Sequence, residues 1–136
     1  MTACDRSPDA LLELRDTLRR FAEEREWQRF HDPKNLAMAL AGEVGEVLEH
    51  FQWLTPEQSC ALDPRQRTEV AHELADVLLY LVRLADVLEI DLADAARDKM
   101  RINAGRYPVA QSRGRAIKYD RLQQESRRVP GREGSE

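Results

Sequence analysis

The sequence predicts an all-α fold: an antiparallel bundle of four to five helices that assembles as an oligomer. Apolar residues recur at three- and four-residue intervals over long stretches, the period of a helix and not of a strand. Helix starts built around proline recur between those stretches. Only six glycines and six prolines are spread over 136 residues, too few turns for a many-stranded β fold. Short links between long amphipathic segments favour antiparallel neighbours.

The elements follow from these signals. Residues 1–6 read as a flexible N-terminus and residues 7–108 as the helical domain. Ser7-Pro8-Asp9 is a helix start, with Ser as N-cap, Pro at the first helical position and Asp at the positive end of the dipole. Leu11, Leu14, Leu18 and Ala22 then follow one face, with Phe21 beside it, to a helix end near Glu26. Trp27 to His31 forms a link holding two aromatics and a histidine. Asp32-Pro33 opens the second helix. Thr55-Pro56 with Gln58, and Asp63-Pro64 with Gln66, read as capping boxes. The second of these opens a long helix, from about Arg65 to Ile90, whose wide apolar face comprises Val70, Leu74, Val77, Leu78, Leu81, Leu84, Ala85 and Leu88. Such a face suits packing on two sides, and part of it is expected to be buried between subunits. Asp91 caps a last helix that runs to about Asn103, with Gly105 as its stop and Pro108 closing it. Residues 109–136 carry a net charge of +3 and few large apolar side chains, and read as a mostly disordered, mildly basic tail.

Composition excludes several function classes. A net charge of −4 argues against polymeric nucleic acid as the main ligand, because phosphate backbones call for a basic face. No run approaches the ~18 apolar residues of a membrane helix, and the N-terminus has no apolar signal core. Cys4 and Cys60 lack metal-type spacing and read as reduced thiols. The expectation is a cytoplasmic protein that binds a small molecule.

The chemistry lies in four carboxylates. In the second helix, Leu36, Leu40, Val44, Val47 and Phe51 form an apolar stripe at about 100° per residue. Glu43 falls inside it, Glu46 lies on its flank, and Glu49 points away. A carboxylate on a core-facing surface is costly unless paired, hydrogen-bonded or bound to metal. The long helix repeats the pattern: Glu73 and Asp76, three residues apart, flank its apolar face together with Glu69 and Tyr80. Two neighbouring helices would bring four like charges together, raising one another's pKa values unless a divalent cation neutralises them. Hard oxygen ligands without cysteine or a compelling histidine favour Mg²⁺, with Mn²⁺ as a substitute.

At these residues the chain resembles the all-α nucleoside triphosphate pyrophosphohydrolases of the MazG-like superfamily. Their hallmark is E-x-x-E, a spacer, then E-x-x-D, here Glu43 with Glu46 and Glu73 with Asp76. FAEEREWQRFHDPKNL (Phe21–Leu36), GEVGEVLEHFQW (Gly42–Trp53), ELADVLLYLVRLA (Glu73–Ala85) and KMRINAGRYP (Lys99–Pro108) are similar to the dCTP pyrophosphatase group. The resemblance covers about residues 10 to 120, including IKYD in the tail. It implies Mg²⁺-dependent cleavage between the α and β phosphates, giving a monophosphate and pyrophosphate, on dCTP or modified nucleotides in nucleotide-pool sanitation. It also implies metal ligation by Glu43, Glu46, Glu73 and Asp76, and a nucleoside pocket shaped by Trp27, Gln28, His31, Trp53 and Tyr80. Lys99 and Asn103 would meet phosphate or sugar. Glu46 is the candidate for activating the attacking water, with Lys99 opposite the leaving pyrophosphate. A homotetramer, as a dimer of dimers, follows from the same resemblance. One position departs: Leu18 stands where close relatives carry a histidine, and leucine cannot hydrogen-bond a base.

Two other classes compete. A di-iron carboxylate bundle needs two Glu-x-x-His pairs, and only Glu69 with His72 supplies one. A non-catalytic helical interaction protein would leave the carboxylates merely solvated.

Overall fold

The structure is a computed structural model in which residues 10–128 are described. Seven α-helices and one 3₁₀ turn make up the described residues, and no strand occurs among them. The chain divides into two compact units between Leu92 and Ala93.

The first unit holds α1 (Ala10–Glu24), the 3₁₀ turn Gln28–Phe30, α2 (Pro33–Phe51), α3 (Pro56–Ser59) and α4 (Pro64–Val87). Its helix starts are fixed locally. The Asp32 carboxylate accepts from the Asn35 N–H at 2.9 Å. Thr55 with Gln58, and Asp63 with Gln66, each form reciprocal capping boxes, so two orphan donors are satisfied at each start. The Ser7-Pro8-Asp9 start lies outside the described residues, as does the stretch read as a flexible N-terminus.

Two helices end on a left-handed glutamate. Glu26 has φ 52° and Glu89 φ 56°. In both places the next residue reaches back across the turn, Trp27 N–H to Ala22 O and Ile90 N–H to Ala85 O, each at 2.9 Å. This is the Schellman closure that glycine usually provides. After α1 it swings Trp27 back beside the helix it has just left, where its ring meets Phe21 edge-on with centroids 5.7 Å apart.

Helix α4 packs along α2 and, less extensively, on α1. Ala22, Leu36, Val70, Val82 and Ala85 form the core of this unit, together with one charged residue, Arg83. The apolar stripes are only partly used. Val44 and Leu48 of α2, and Leu74, Leu78 and the residue after α4, Leu88, are exposed. The wide apolar face read from the sequence is therefore split between a buried half and an uncovered half.

The second unit holds most of α5 (Leu92–Arg106), then α6 (Val109–Ser112) and α7 (Tyr119–Arg128). Two sequence expectations are corrected here. Gly105 does not stop α5: the helix runs through it to Arg106, and Pro108, which has no N–H to continue the ladder, closes it. The stretch read as a disordered tail carries α6 and α7 within its described part. Leu122 is buried, the Tyr119 N–H donates to the Tyr107 hydroxyl, and Arg115 pairs with Glu125 at 2.8 Å. One well-placed leucine and two facing tyrosines supply the anchoring that low overall hydrophobicity concealed. Residues 129–136 lie outside the described residues. The helix count exceeds the expected four to five because of the two single-turn helices and α7. No helix among the described residues is long and apolar enough to cross a membrane.

Candidate active site

Glu43 projects from the middle of α2, and Glu73 and Asp76 from the middle of α4. The structure brings these three together: one oxygen from each lies within 4.8 Å of the others. Glu43 and Glu73 are half-buried and Asp76 is exposed. Among the described residues no lysine or arginine forms an ion pair with any of them. The Glu43 carboxyl is held above the usual carboxylate range, first by desolvation and then by the charges of Asp76, Glu73 and Glu46. Glu46, one turn on from Glu43, thus adds charge to the corner without being part of the three-oxygen cluster.

The donor set fits a hard divalent cation. Three carboxylates offer oxygen ligands only, and oxygens sharing a Mg²⁺ at 2.0–2.1 Å stand about 3–4 Å apart, a tightening that side-chain rotation supplies. His72 and Glu69 lie apart from this corner. Glu69 is paired with Arg65 at 2.9 Å and His72 is exposed, so the histidine-rich di-iron arrangement is not formed.

A cavity of about 240 Å³ adjoins the acids. It is lined by Leu18, Phe21, Ala22, Trp27, His31, Asp76, Leu79, Tyr80 and Arg83. Asp76 therefore belongs to both features, one wall of the cavity and one corner of the acid cluster. Trp27 contacts His31 as well as Phe21, with the imidazole centroid 6.4 Å away. The walls are mostly apolar, which suits a flat heterocycle.

Sequence reasoning did not identify the polar end of this cavity. Arg83 is 8% exposed, and its Nε donates to His31 Nδ1 at 3.1 Å. Its Nη1 donates to Asp86 at 2.9 Å, and Asp86 also receives the Arg19 guanidinium from α1. Burial pushes the Asp86 carboxyl up, but the hydrogen bond and charge of Arg19 and the charge of Arg83 outweigh it and hold it below the usual range. His31 is pushed below its ordinary value, first by burial and then by Arg83. The signal was present in the sequence: Arg83 stands seven positions after Asp76, two helical turns, so both fall on the same face.

Other expected site residues are not among those lining this cavity. Trp53 follows the end of α2, is 84% exposed, and does not line the cavity. Gln28 is exposed in the 3₁₀ turn and is likewise outside its lining. Lys99, exposed, and Asn103, half-buried, lie on α5 in the second unit.

Comparison with known proteins agrees with this geometry. Residues 39–122 match the MazG-like family. The chain is a member of that family. It is 47% identical over 118 residues to dCTP pyrophosphatase 1 of Bos taurus, covering 85% of this chain and 70% of that protein. Identity to the Homo sapiens protein of the same name is 45% over 119 residues, with the same coverage. Among solved structures, a pyrophosphatase from Archaeoglobus fulgidus aligns with TM-score 0.69 and 43% identity, over 72% of this chain and 92% of that one. Among the described residues the fold is all-helical, and the Glu43/Glu46 pair lies on α2 and the Glu73/Asp76 pair on α4.

Proposed function

We propose that this MazG-like protein is a nucleoside triphosphate pyrophosphohydrolase that cleaves between the α and β phosphates, releasing a monophosphate and pyrophosphate. Its substrate is dCTP or a modified nucleoside triphosphate, and its role is sanitation of the nucleotide pool in the cytoplasm. One observation carries the reading: Asp76 lines a mostly apolar cavity of about 240 Å³ and is also one of three converging carboxylates. The curated relatives named dCTP pyrophosphatase 1 point the same way.

In this reading Trp27, Phe21 and Tyr80 enclose the base, and His31 meets its polar edge. Stacking on an aromatic face is worth about 1–3 kcal/mol per base. Glu43, Glu73 and Asp76, with Glu46 beside them, would hold Mg²⁺ or Mn²⁺, which would supply positive charge against the phosphate oxygens. Glu46, outside the tight cluster, orients the attacking water and accepts its proton. The water oxygen bonds to the α phosphorus as the bond to the α–β bridging oxygen breaks. Lys99 and Asn103 meet the departing pyrophosphate or the sugar. Trp53 and the uncovered apolar residues of α2 and α4 belong to a homotetrameric contact, a dimer of dimers in which neighbouring chains complete each site.

The test is direct. Incubation with dCTP and Mg²⁺ is expected to yield dCMP and pyrophosphate in equal amounts by ion-exchange chromatography. Release of orthophosphate alone, or no turnover across a panel of standard and modified triphosphates, would overturn the reading.

A further inference from the structure

We propose that Arg83, clamped by Asp86, is a positioning residue that fixes His31 in one tautomer, so that its Nε2–H is the hydrogen-bond donor for the base. The proposal rests on the pyrophosphohydrolase reading for its ligand but not for its geometry. An arginine side chain has donors and no acceptor, and it stays charged. Any nitrogen that accepts from Arg83 Nε must therefore present a lone pair. Since His31 Nδ1 is that acceptor, the ring is neutral and its proton sits on Nε2.

Both residues line the same cavity, and the remaining walls are largely apolar. Leu18, also in the lining, contributes no hydrogen-bonding group. Besides Asp76 and the Tyr80 hydroxyl, the polar groups of this cavity are those of its Arg83–His31 end. A neutral Nε2–H donor suits a ring nitrogen or carbonyl acceptor on a pyrimidine edge and disfavours a base that presents only a donor there. A freely tautomerising histidine could serve either.

The clamp explains why a buried arginine is tolerated. Burying an unpaired guanidinium is costly, but Asp86 neutralises it from one turn away on α4 and is itself tied to Arg19 of α1. This chain Arg19–Asp86–Arg83–His31 crosses from α1 through α4 to the link before α2. It supports the imidazole as a partner on the far nitrogen orients a metal-ligating or catalytic histidine elsewhere.

Nitrogen-15 spectra of the His31 ring in the nucleotide-free protein test the geometry, with His31→Phe assigning the signal. The expected result is Nδ1 unprotonated and Nε2 protonated in the wild type, and a mixture of tautomers in Arg83→Met. A wild-type ring protonated at Nδ1 would overturn the proposal whether or not the protein turns over nucleotide. Kinetics with dCTP test the role: Arg83→Met is expected to raise KM about tenfold with a smaller change in kcat, and Arg83→Lys to recover part of the loss. If Arg83 acts through His31, the double variant Arg83→Met/His31→Phe loses no more than His31→Phe alone. Additive losses would assign Arg83 a separate contact and overturn the positioning role. Asp86→Asn, which loosens the clamp while retaining Arg83, provides the same spectroscopic readout should Arg83→Met fail to fold.

Discussion

Asp76 and Asp86 lie ten residues apart on one helix, and their surroundings are opposite in kind. Asp86 is buried and held by two arginines, one from its own helix and one from α1. Asp76 is exposed and faces two further carboxylates, and among the described residues no lysine or arginine forms an ion pair with any of the three. The first is a finished electrostatic unit that links helices. The second gathers like charges without such partners, and its three oxygens are close enough together to hold a metal ion.

The sharpest way to break that contrast is to delete one acid from each. Glu43→Ala or Asp76→Ala is expected to lower pyrophosphate release by at least about 10²-fold, the scale of removing one preorganised electrostatic contact, with helix content by circular dichroism unchanged. Retained turnover would remove the acid cluster from the reaction. Asp86→Ala should do the reverse in kind, costing about 3 kcal/mol of stability by stranding the buried Arg83, measured by urea unfolding.

Thermal melting with Mg²⁺ separates the two sites further. A cation that binds only the native state stabilises it by about 2.7 kcal/mol at a hundred times its dissociation constant. Wild-type protein and Asp86→Ala should both show the upward shift, and Asp76→Ala should lose most of it. An unshifted wild type would count against the metal assignment.

Stability against pH should carry opposite signs at the two sites. Glu43 has a raised folded-state pKa, so the native state binds more protons than the unfolded chain. Stability without metal is then expected to fall as pH rises from its ordinary value near 4.5 through the raised one. Asp86 has a lowered folded-state pKa, so its contribution is present above the ordinary value of 3.8 and is lost as pH falls through the lowered one. Comparing Glu43→Gln and Asp86→Asn with wild type in metal-free buffer isolates each slope.

The smallest expected effect concerns neither acid. Glu89→Gly should stabilise by about 0.5–1 kcal/mol, because glycine adopts the left-handed conformation at φ 56° without the Cβ penalty. Unchanged or lower stability would show that the glutamate side chain offsets its own backbone strain.

What was legible in the sequence was what is decided locally. Asp32, Thr55 and Asp63 cap their helices as read, because a cap depends on four consecutive residues. The meeting of Glu43 with Glu73 and Asp76 was legible because periodicity set each beside an apolar stripe. Arg83 was not, although the same argument applied: a charge within an apolar run needs a partner, and Asp86 stands three residues on. Trp53 was placed beside Trp27 by its position at the end of α2, but helix α2 carries it away from the cavity while the left-handed Glu26 turns Trp27 toward it. Backbone direction after a helix end depends on one residue's φ, and a glutamate gives no warning of a positive one. The fate of the tail turned on Leu122 and two tyrosines, a signal too sparse to outweigh its composition.

The seven-residue step from Asp76 to Arg83 also makes α4 a ruler. At 1.5 Å per residue they set the acid corner and the arginine–histidine end about 10 Å apart along the helix. A nucleotide that touches both must place its base edge and its α-phosphate at that separation. On the proposed reading, that span is set by helix length before any individual hydrogen bond is counted.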